Sequence, residues 1–261
     1  MATLASIVCL TYAGLCALLY LLQDRLLFLP RTSDSRAVEQ LQPWEVSVET
    51  QGLILTGWLI PAQDPSQAPL VFYYGGNAED ISVTSLDLGA RTNANFLFMN
   101  YRGYGQSEGK PSQAALQADA VFIYDQMVAR APHNGKRVLF GRSLGSGVGI
   151  YLASQRQFDA AVLVTPYDSI RKVAQRHFSW LPVSLLLRHP FDSLSLAPKL
   201  DIPALFLLAE HDEIVPLAHS QALANSWGGN TQLVTIKQAN HNSIGSEAEF
   251  WEPIRLLLQS L

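Results

Sequence analysis

The chain has 261 residues, of which 48% are hydrophobic and only 15% charged, with a formal net charge of −4. That length suits one large domain as well as two small ones, and it buries enough apolar surface to fold alone. Scattered basic residues on a net acidic chain argue against a nucleic-acid partner. The only cysteines, Cys9 and Cys16, fall in the apolar N-terminus, so disulfides, thiolate metal sites and a cysteine nucleophile are excluded for the remainder.

Residues 2–22 carry no charge. As a helix they would measure about 31 Å, enough to cross a hydrocarbon core of about 30 Å. The predicted organisation is a transmembrane anchor over 1–24, a juxtamembrane segment over 25–44 and one folded domain over 45–261. Two alternatives are weaker. A cleaved signal peptide would have a basic n-region and a small-residue cleavage site, and no Lys or Arg precedes Arg25. A core helix would be shorter and amphipathic. Arg25, Arg31 and Arg36 follow the apolar run, which favours a cytoplasmic folded domain by the positive-inside tendency.

Residues 26–30 form an apolar strap leaving the anchor. Residues 45–50 alternate polar and apolar, Gln51-Gly52 turns the chain, and 53–60 returns, which predicts an antiparallel hairpin. Continuous apolar runs then appear at 69–74, 94–100, 137–140, 160–165 and 204–209, the pattern of strands covered on both faces. Helical spacing is clearest over 112–131, in Ala115, Leu116, Ala120, Ile123, Met127 and Val128; 220–227 and 248–258 are two more. Alternating strands and helices imply a mostly parallel sheet flanked by helices, with the hairpin at one edge. Residues 166–199 break the alternation with Trp180, Pro182, Pro190 and Pro198 and carry short apolar helical stretches near 184–187. A connection this long predicts a small lid inserted between strands rather than a plain surface loop.

Gly141-Arg142-Ser143-Leu144-Gly145 fits G-x-S-x-G. The pattern is short, but it follows a predicted strand and opens a helix of small residues. That is the context a nucleophile elbow needs, because flanking glycines let the backbone turn sharply at the serine. A serine hydroxyl needs a base, and in this arrangement the chain order is serine, acid, histidine. Asp212, after the run 204–209, and His241, before the last helix, stand in that order and at strand ends. Asp168 also follows an apolar run and is a second candidate acid; capping a helix that starts near Ser169 is its other reading. The oxyanion donors would be the backbone N–H of Leu144 and that of Asn77, in the glycine turn Gly75-Gly76-Asn77. No histidine or carboxylate spacing fits zinc, so neither metal nor cofactor is expected.

Tyr101-Arg102-Gly103-Tyr104-Gly105-Gln106-Ser107-Glu108-Gly109, the elbow, Thr165-Pro166-Tyr167-Asp168-Ser169, the segment 211–216 and His241-Asn242 resemble the Bem46-like branch of the α/β-hydrolases, close to groups 13 and 17 of the alpha/beta hydrolase domain-containing proteins. The anchor followed by Leu26-Leu27-Phe28-Leu29-Pro30 is similar too. The resemblance implies the α/β-hydrolase fold and a triad of Ser143, Asp212 and His241. One departure stands out: the branch commonly has His-Gly-Asn where this chain has Gly75-Gly76-Asn77, so a histidine that would support the oxyanion loop is missing. The expected activity is hydrolysis of a carboxylic ester or acyl thioester through an acyl-enzyme, on a small or acylated substrate, lipids included. A serine peptidase or acyltransferase of the same fold is an alternative, and a non-catalytic, membrane-held binding protein is the competing class, against which the intact Ser, Asp and His argue.

Overall fold

A computed structural model describes residues 2–261; Met1, the first residue of the expected anchor, lies outside the described residues. Helix α1 (Ala2–Leu27) leads into the short helix α2 (Ser35–Leu41), the hairpin β1 (Glu45–Thr50) and β2 (Leu53–Ile60), and then β3 (Leu70–Tyr74). The alternation continues with α3 (Ile81–Arg91), β4 (Asn95–Met99), α4 (Gln113–Met127), β5 (Arg137–Arg142), α5 (Leu144–Ala153) and β6 (Ala160–Val164). After an insertion holding α6 (Ile170–His177) and α7 (Val183–Leu186) come β7 (Ala204–Ala209), α8 (Leu217–Asn225), β8 (Thr231–Ile236) and α9 (Ala248–Gln259).

The eight strands form one sheet in the order β1-β2-β4-β3-β5-β6-β7-β8. The hairpin joins antiparallel through β2 and β4, and every other pair is parallel. The α/β architecture expected from the strand–helix alternation is thus observed. Side chains alternate between two cores, as a period of two requires. Phe72, Leu97, Leu139, Leu163 and Phe206 face the layer of α4, α5 and α8. Val71, Phe96, Val138, Val162 and Leu205 face the layer of α2, α3 and α9. Both faces are covered, which is why β3, β4, β6 and β7 are buried at every residue and read as unbroken apolar runs. Helix starts are capped locally: Asp34, Asp80, Ser112 and Ser169 each accept a backbone N–H from the first turn, worth about 1 kcal/mol apiece.

Three elements have no counterpart in the sequence reading. Strand β8 is mostly exposed at the sheet edge and lacks the apolar run of its neighbours. Helix α2, SRAVEQL, is short and half polar, and helix α3 mixes polar and apolar residues about equally. Helix α1 runs three residues past the expected end of the anchor and is exposed along almost its whole length. An apolar surface of that extent marks contact with something other than water.

Candidate active site

Parallel register brings the ends of β3, β5, β7 and β8 together. Tyr74 pairs with Gly141, so the loop after β3 lies beside the turn after β5. Ala209 pairs with Ile236, so the loops carrying Asp212 and His241 leave the sheet side by side. They are tied by the His211 N–H donating to the Ala239 carbonyl at 2.9 Å.

Ser143 sits between β5 and α5 with φ 48° and ψ −116°, a conformation L-residues seldom adopt and one that costs about 1–3 kcal/mol. The surroundings impose it. A Cβ at Gly145 would collide with the Tyr74 carbonyl, and one at Gly141 would lie 2.7 Å from the Ser146 Cα. The Ser143 N–H is also fixed by the Val164 carbonyl at 2.9 Å. The hydroxyl therefore projects from the turn, and Ser143 Oγ lies 2.9 Å from His241 Nε2. His241 Nδ1 lies 2.7 Å from Asp212 Oδ2. Both His241 and Asp212 are buried. Asp212 Oδ1 accepts the Ile214 N–H at 3.0 Å and the Val215 N–H at 2.7 Å, so three bonds orient its carboxylate.

Asp168 stands elsewhere. Its Oδ1 bonds His219 Nδ1 at 2.9 Å and accepts the Ser169 N–H at 2.6 Å; its Oδ2 lies 3.4 Å from Lys172 Nζ. It is not the cap of α6, contrary to the capping alternative: Ser169 holds that position, its hydroxyl accepting from the Lys172 N–H. Ser169 can reach that N–H and Asp168, turned toward His219, cannot do both.

The amides of Asn77 and Leu144 flank Ser143. Among the described residues neither donates to an acceptor, whereas the Gly76 N–H is taken by Glu79 Oε2 at 2.5 Å. The free donors on the two sides of the serine are thus those of Asn77 and Leu144, and Leu144 adds the N-terminal dipole of α5. Such donors can stabilise an oxyanion that develops on a carbonyl attacked by Ser143.

Glu79 braces this loop, a role with no sequence signal. Its buried carboxylate also accepts from the Tyr73 hydroxyl and the Thr84 hydroxyl, each at 2.6 Å, and lies 3.3 Å from Arg142 Nη1. Arg142 reaches on to the His241 carbonyl at 3.4 Å, joining the loop after β3 to the histidine loop. Burial opposes the charge on Arg142, but Glu79 outweighs it and the guanidinium is held more firmly protonated than usual. Burial, then the Glu79 charge, pushes the Tyr73 phenol well above its ordinary range. A Cβ at Gly75 would lie 2.7 Å from Ile81 Cγ2, so the departure from His-Gly-Asn and the packing of α3 go together.

The loop 101–112 supports the same site. Tyr101 donates to the Gly75 carbonyl at 2.9 Å, and the Tyr104 hydroxyl donates to Asn77 Oδ1 at 2.8 Å. Asn77 Oδ1 also accepts the Leu29 N–H at 2.9 Å, which fixes the strap over the site. A cavity of about 230 Å³ remains at Ser143, lined by Leu29, Asn77, Ile214, His241 and Asn242 among others. Among the described residues no group of three or more His, Cys, Asp or Glu side chains could hold a metal ion.

The family model described as "Serine aminopeptidase, S33" matches residues 87–195, a span that includes Ser143. An uncharacterized protein of Mycobacterium tuberculosis is 31% identical over 91% of this chain and 86% of its own length. An uncharacterized membrane protein of Saccharomyces cerevisiae is 30% identical over 86% of this chain and 81% of its own. The human alpha/beta hydrolase domain-containing protein 17C is 27% identical over 73% of this chain and 58% of its own. Among solved structures, Est1E from Butyrivibrio proteoclasticus superposes with a TM-score of 0.67 at 17% identity, over 83% of this chain and all of that one. The Pyrococcus furiosus esterase Pf2001 gives 0.66 at 17% identity, over 89% of this chain and 96% of its own. With relatives at this identity spanning nearly its whole length, the chain is a hydrolase that belongs to the α/β-hydrolase superfamily, within its Bem46-like branch.

Proposed function

We propose that the protein is a membrane-anchored serine hydrolase cleaving a carboxylic ester or acyl thioester. The observation that carries this reading is the row Ser143 Oγ–His241 Nε2 at 2.9 Å and His241 Nδ1–Asp212 Oδ2 at 2.7 Å. His241 takes the hydroxyl proton as Ser143 attacks the substrate carbonyl, and Asp212 orients the ring and stabilises its cationic form. The Asn77 and Leu144 amides hold the oxyanion. Collapse expels the alcohol or thiol, which takes its proton from His241. A water then repeats the sequence, with His241 as base, to release the carboxylic acid.

Peptide cleavage is the second reading, favoured by the aminopeptidase model that matches the chain. It ranks lower because an α-ammonium group needs a free carboxylate beside the serine. Among the described residues Glu79 is the one carboxylate lining that cavity, and Arg142, Tyr73, Thr84 and Gly76 already occupy it.

The anchor is helix α1, whose span Thr3–Leu27 of 25 residues measures about 37 Å against a core of about 30 Å. The relative named a membrane protein in Saccharomyces cerevisiae supports it. Arg25, Arg31 and Arg36 favour a cytoplasmic side for the hydrolase domain, 45–261, with 166–199 as its lid. Ser143→Ala is expected to abolish labelling by a fluorophosphonate; labelling that persists refutes the nucleophile. Full-length protein is expected to stay with membranes through a carbonate wash, and its release with the N-terminus intact refutes the anchor.

A further inference from the structure

We propose that the tip of the insertion, residues 178–187, is embedded in the same leaflet that α1 enters, and that the enzyme takes a long-chain acyl substrate from that leaflet. The inference rests on the membrane-anchored hydrolase reading and adds a second membrane contact and an acyl source to it. The ten residues Phe178-Ser179-Trp180-Leu181-Pro182-Val183-Ser184-Leu185-Leu186-Leu187 carry no charge, and basic residues flank them: Arg176 and His177 before, Arg188 and His189 after. No acidic residue occurs from 169 to 191. Leu181 and Val183 are buried against the protein, while Phe178, Trp180 and Leu185 are 49%, 56% and 84% exposed. Exposed aromatic and aliphatic side chains between cationic flanks suit an interface with anionic headgroups.

The position of the tip relative to α1 decides the occupant. Arg188 Nη2 and His189 Nε2 meet Asp24 Oδ1 at 2.7 and 2.9 Å, and Asp24 is the first charge after the apolar run of α1. The charged flank of the insertion and the charged end of the helix therefore share one level. From that level the tip runs back along the apolar part of α1. The Leu186 carbonyl accepts from Gln23 Nε2 at 3.0 Å, and Gln23 Oε1 accepts the Arg188 N–H at 2.7 Å, so a buried amide in the helix is satisfied by the insertion, as an apolar medium demands. Farther along, the Tyr12 hydroxyl donates to the Trp180 carbonyl at 2.8 Å. Twelve residues of helix separate Tyr12 from Asp24, about 18 Å along the axis. A leaflet with its headgroups is about 20 Å deep. If α1 spans the bilayer with Asp24 among the headgroups, Trp180 cannot remain in water.

The cavity at Ser143, about 230 Å³, is smaller than the usual ligand pocket of about 300–1,000 Å³. A groove of about 620 Å³ adjoins it through the shared residues Leu29 and Ala78, and its far wall is Asp24, Arg25 and Phe28 at the foot of α1. The groove thus runs from the charged level to the serine, a path for an acyl ester whose chain stays in lipid.

The test uses the full-length protein in phosphatidylcholine–phosphatidylglycerol vesicles. Helix α1 contains no tryptophan; of the other four, Trp44 ends the juxtamembrane segment and Trp58, Trp227 and Trp251 lie in the body of the hydrolase domain. Chain-brominated phospholipid is expected to quench a fluorescence component that disappears in Trp180→Phe, while aqueous iodide leaves that component intact. Quenching of the Trp180 component by iodide and not by the bromolipid overturns the insertion. Leu185→Glu, which forces a charge toward lipid, is expected to lower the ratio of palmitoyl-ester to butyryl-ester turnover about tenfold; an unchanged ratio overturns the acyl source. If the wild type hydrolyses neither ester, the hydrolase reading fails and the quenching result still decides the insertion. Release of the wild type by carbonate refutes the anchor and the insertion with it.

Discussion

Replacing Glu79 by alanine tests how the loop after β3, proposed to supply the Asn77 oxyanion donor, is held in place. The carboxylate is 5% exposed and takes three hydrogen bonds, from Tyr73, Thr84 and Gly76, beside the ion pair with Arg142. Removing one partner of a buried ion pair costs about 3–5 kcal/mol. Arg142 is 24% exposed and keeps its bond to the His241 carbonyl, so the lower end, about 3 kcal/mol, applies. For a domain of this size that corresponds to a melting temperature about 6–12 °C lower. The Gly76 amide is released at the same time, and the neighbouring Asn77 amide loses its fixed direction. Deleting an oxyanion donor outright costs about 10²–10³ in kcat, and a loosened donor should cost about tenfold. Differential scanning fluorimetry and steady-state hydrolysis of a soluble short-chain ester measure both. Glu79→Gln, which keeps the shape and drops the charge, should fall between wild type and alanine. A Glu79→Ala protein that melts within 2 °C of wild type with unchanged kcat would refute the bracing role.

Asp212→Asn should leave the fold intact and lower kcat about 10⁴-fold, the effect of losing the orienting acid in a serine triad, whereas Asp168→Asn, which meets His219 and Lys172 instead of His241, should keep turnover within a few fold; the reverse result in parallel kinetics would exchange the two residues. Tyr74→Phe should be neutral or stabilising by about 1 kcal/mol at pH 7, because the buried hydroxyl has no hydrogen-bond partner among the described residues. Burial pushes the Tyr74 phenol far above its ordinary value. A raised folded-state value contributes stability that is complete below the unfolded value, about pH 10, and is lost as the pH climbs beyond it. Denaturation between pH 9 and 12 should therefore show the wild type losing stability above about pH 10 and Tyr74→Phe losing it less steeply; identical slopes contradict the assignment.

The sequence by itself determined the strands of the sheet centre, because being covered on both faces writes a continuous apolar run into each of β3, β4, β6 and β7. It also determined the elbow, where the clash of any Cβ at Gly141 or Gly145 leaves glycine as the residue that fits, and the chain order of Ser143, Asp212 and His241. The edge strand β8 was illegible, since a strand half in water carries no such run. Only the tertiary structure decided which acid meets His241. Asp168 and Asp212 both follow apolar strands, and the choice depends on the parallel register of β7 and β8, which sets two loops side by side across 29 residues of chain. The same holds for Glu79, whose partners come from β3, α3 and the end of β5, and for the insertion against α1, joined by contacts up to 168 residues apart. Periodicity and turn chemistry act over a few neighbouring residues, whereas such pairings depend on how whole strands and helices come to lie against one another, which no local pattern encodes.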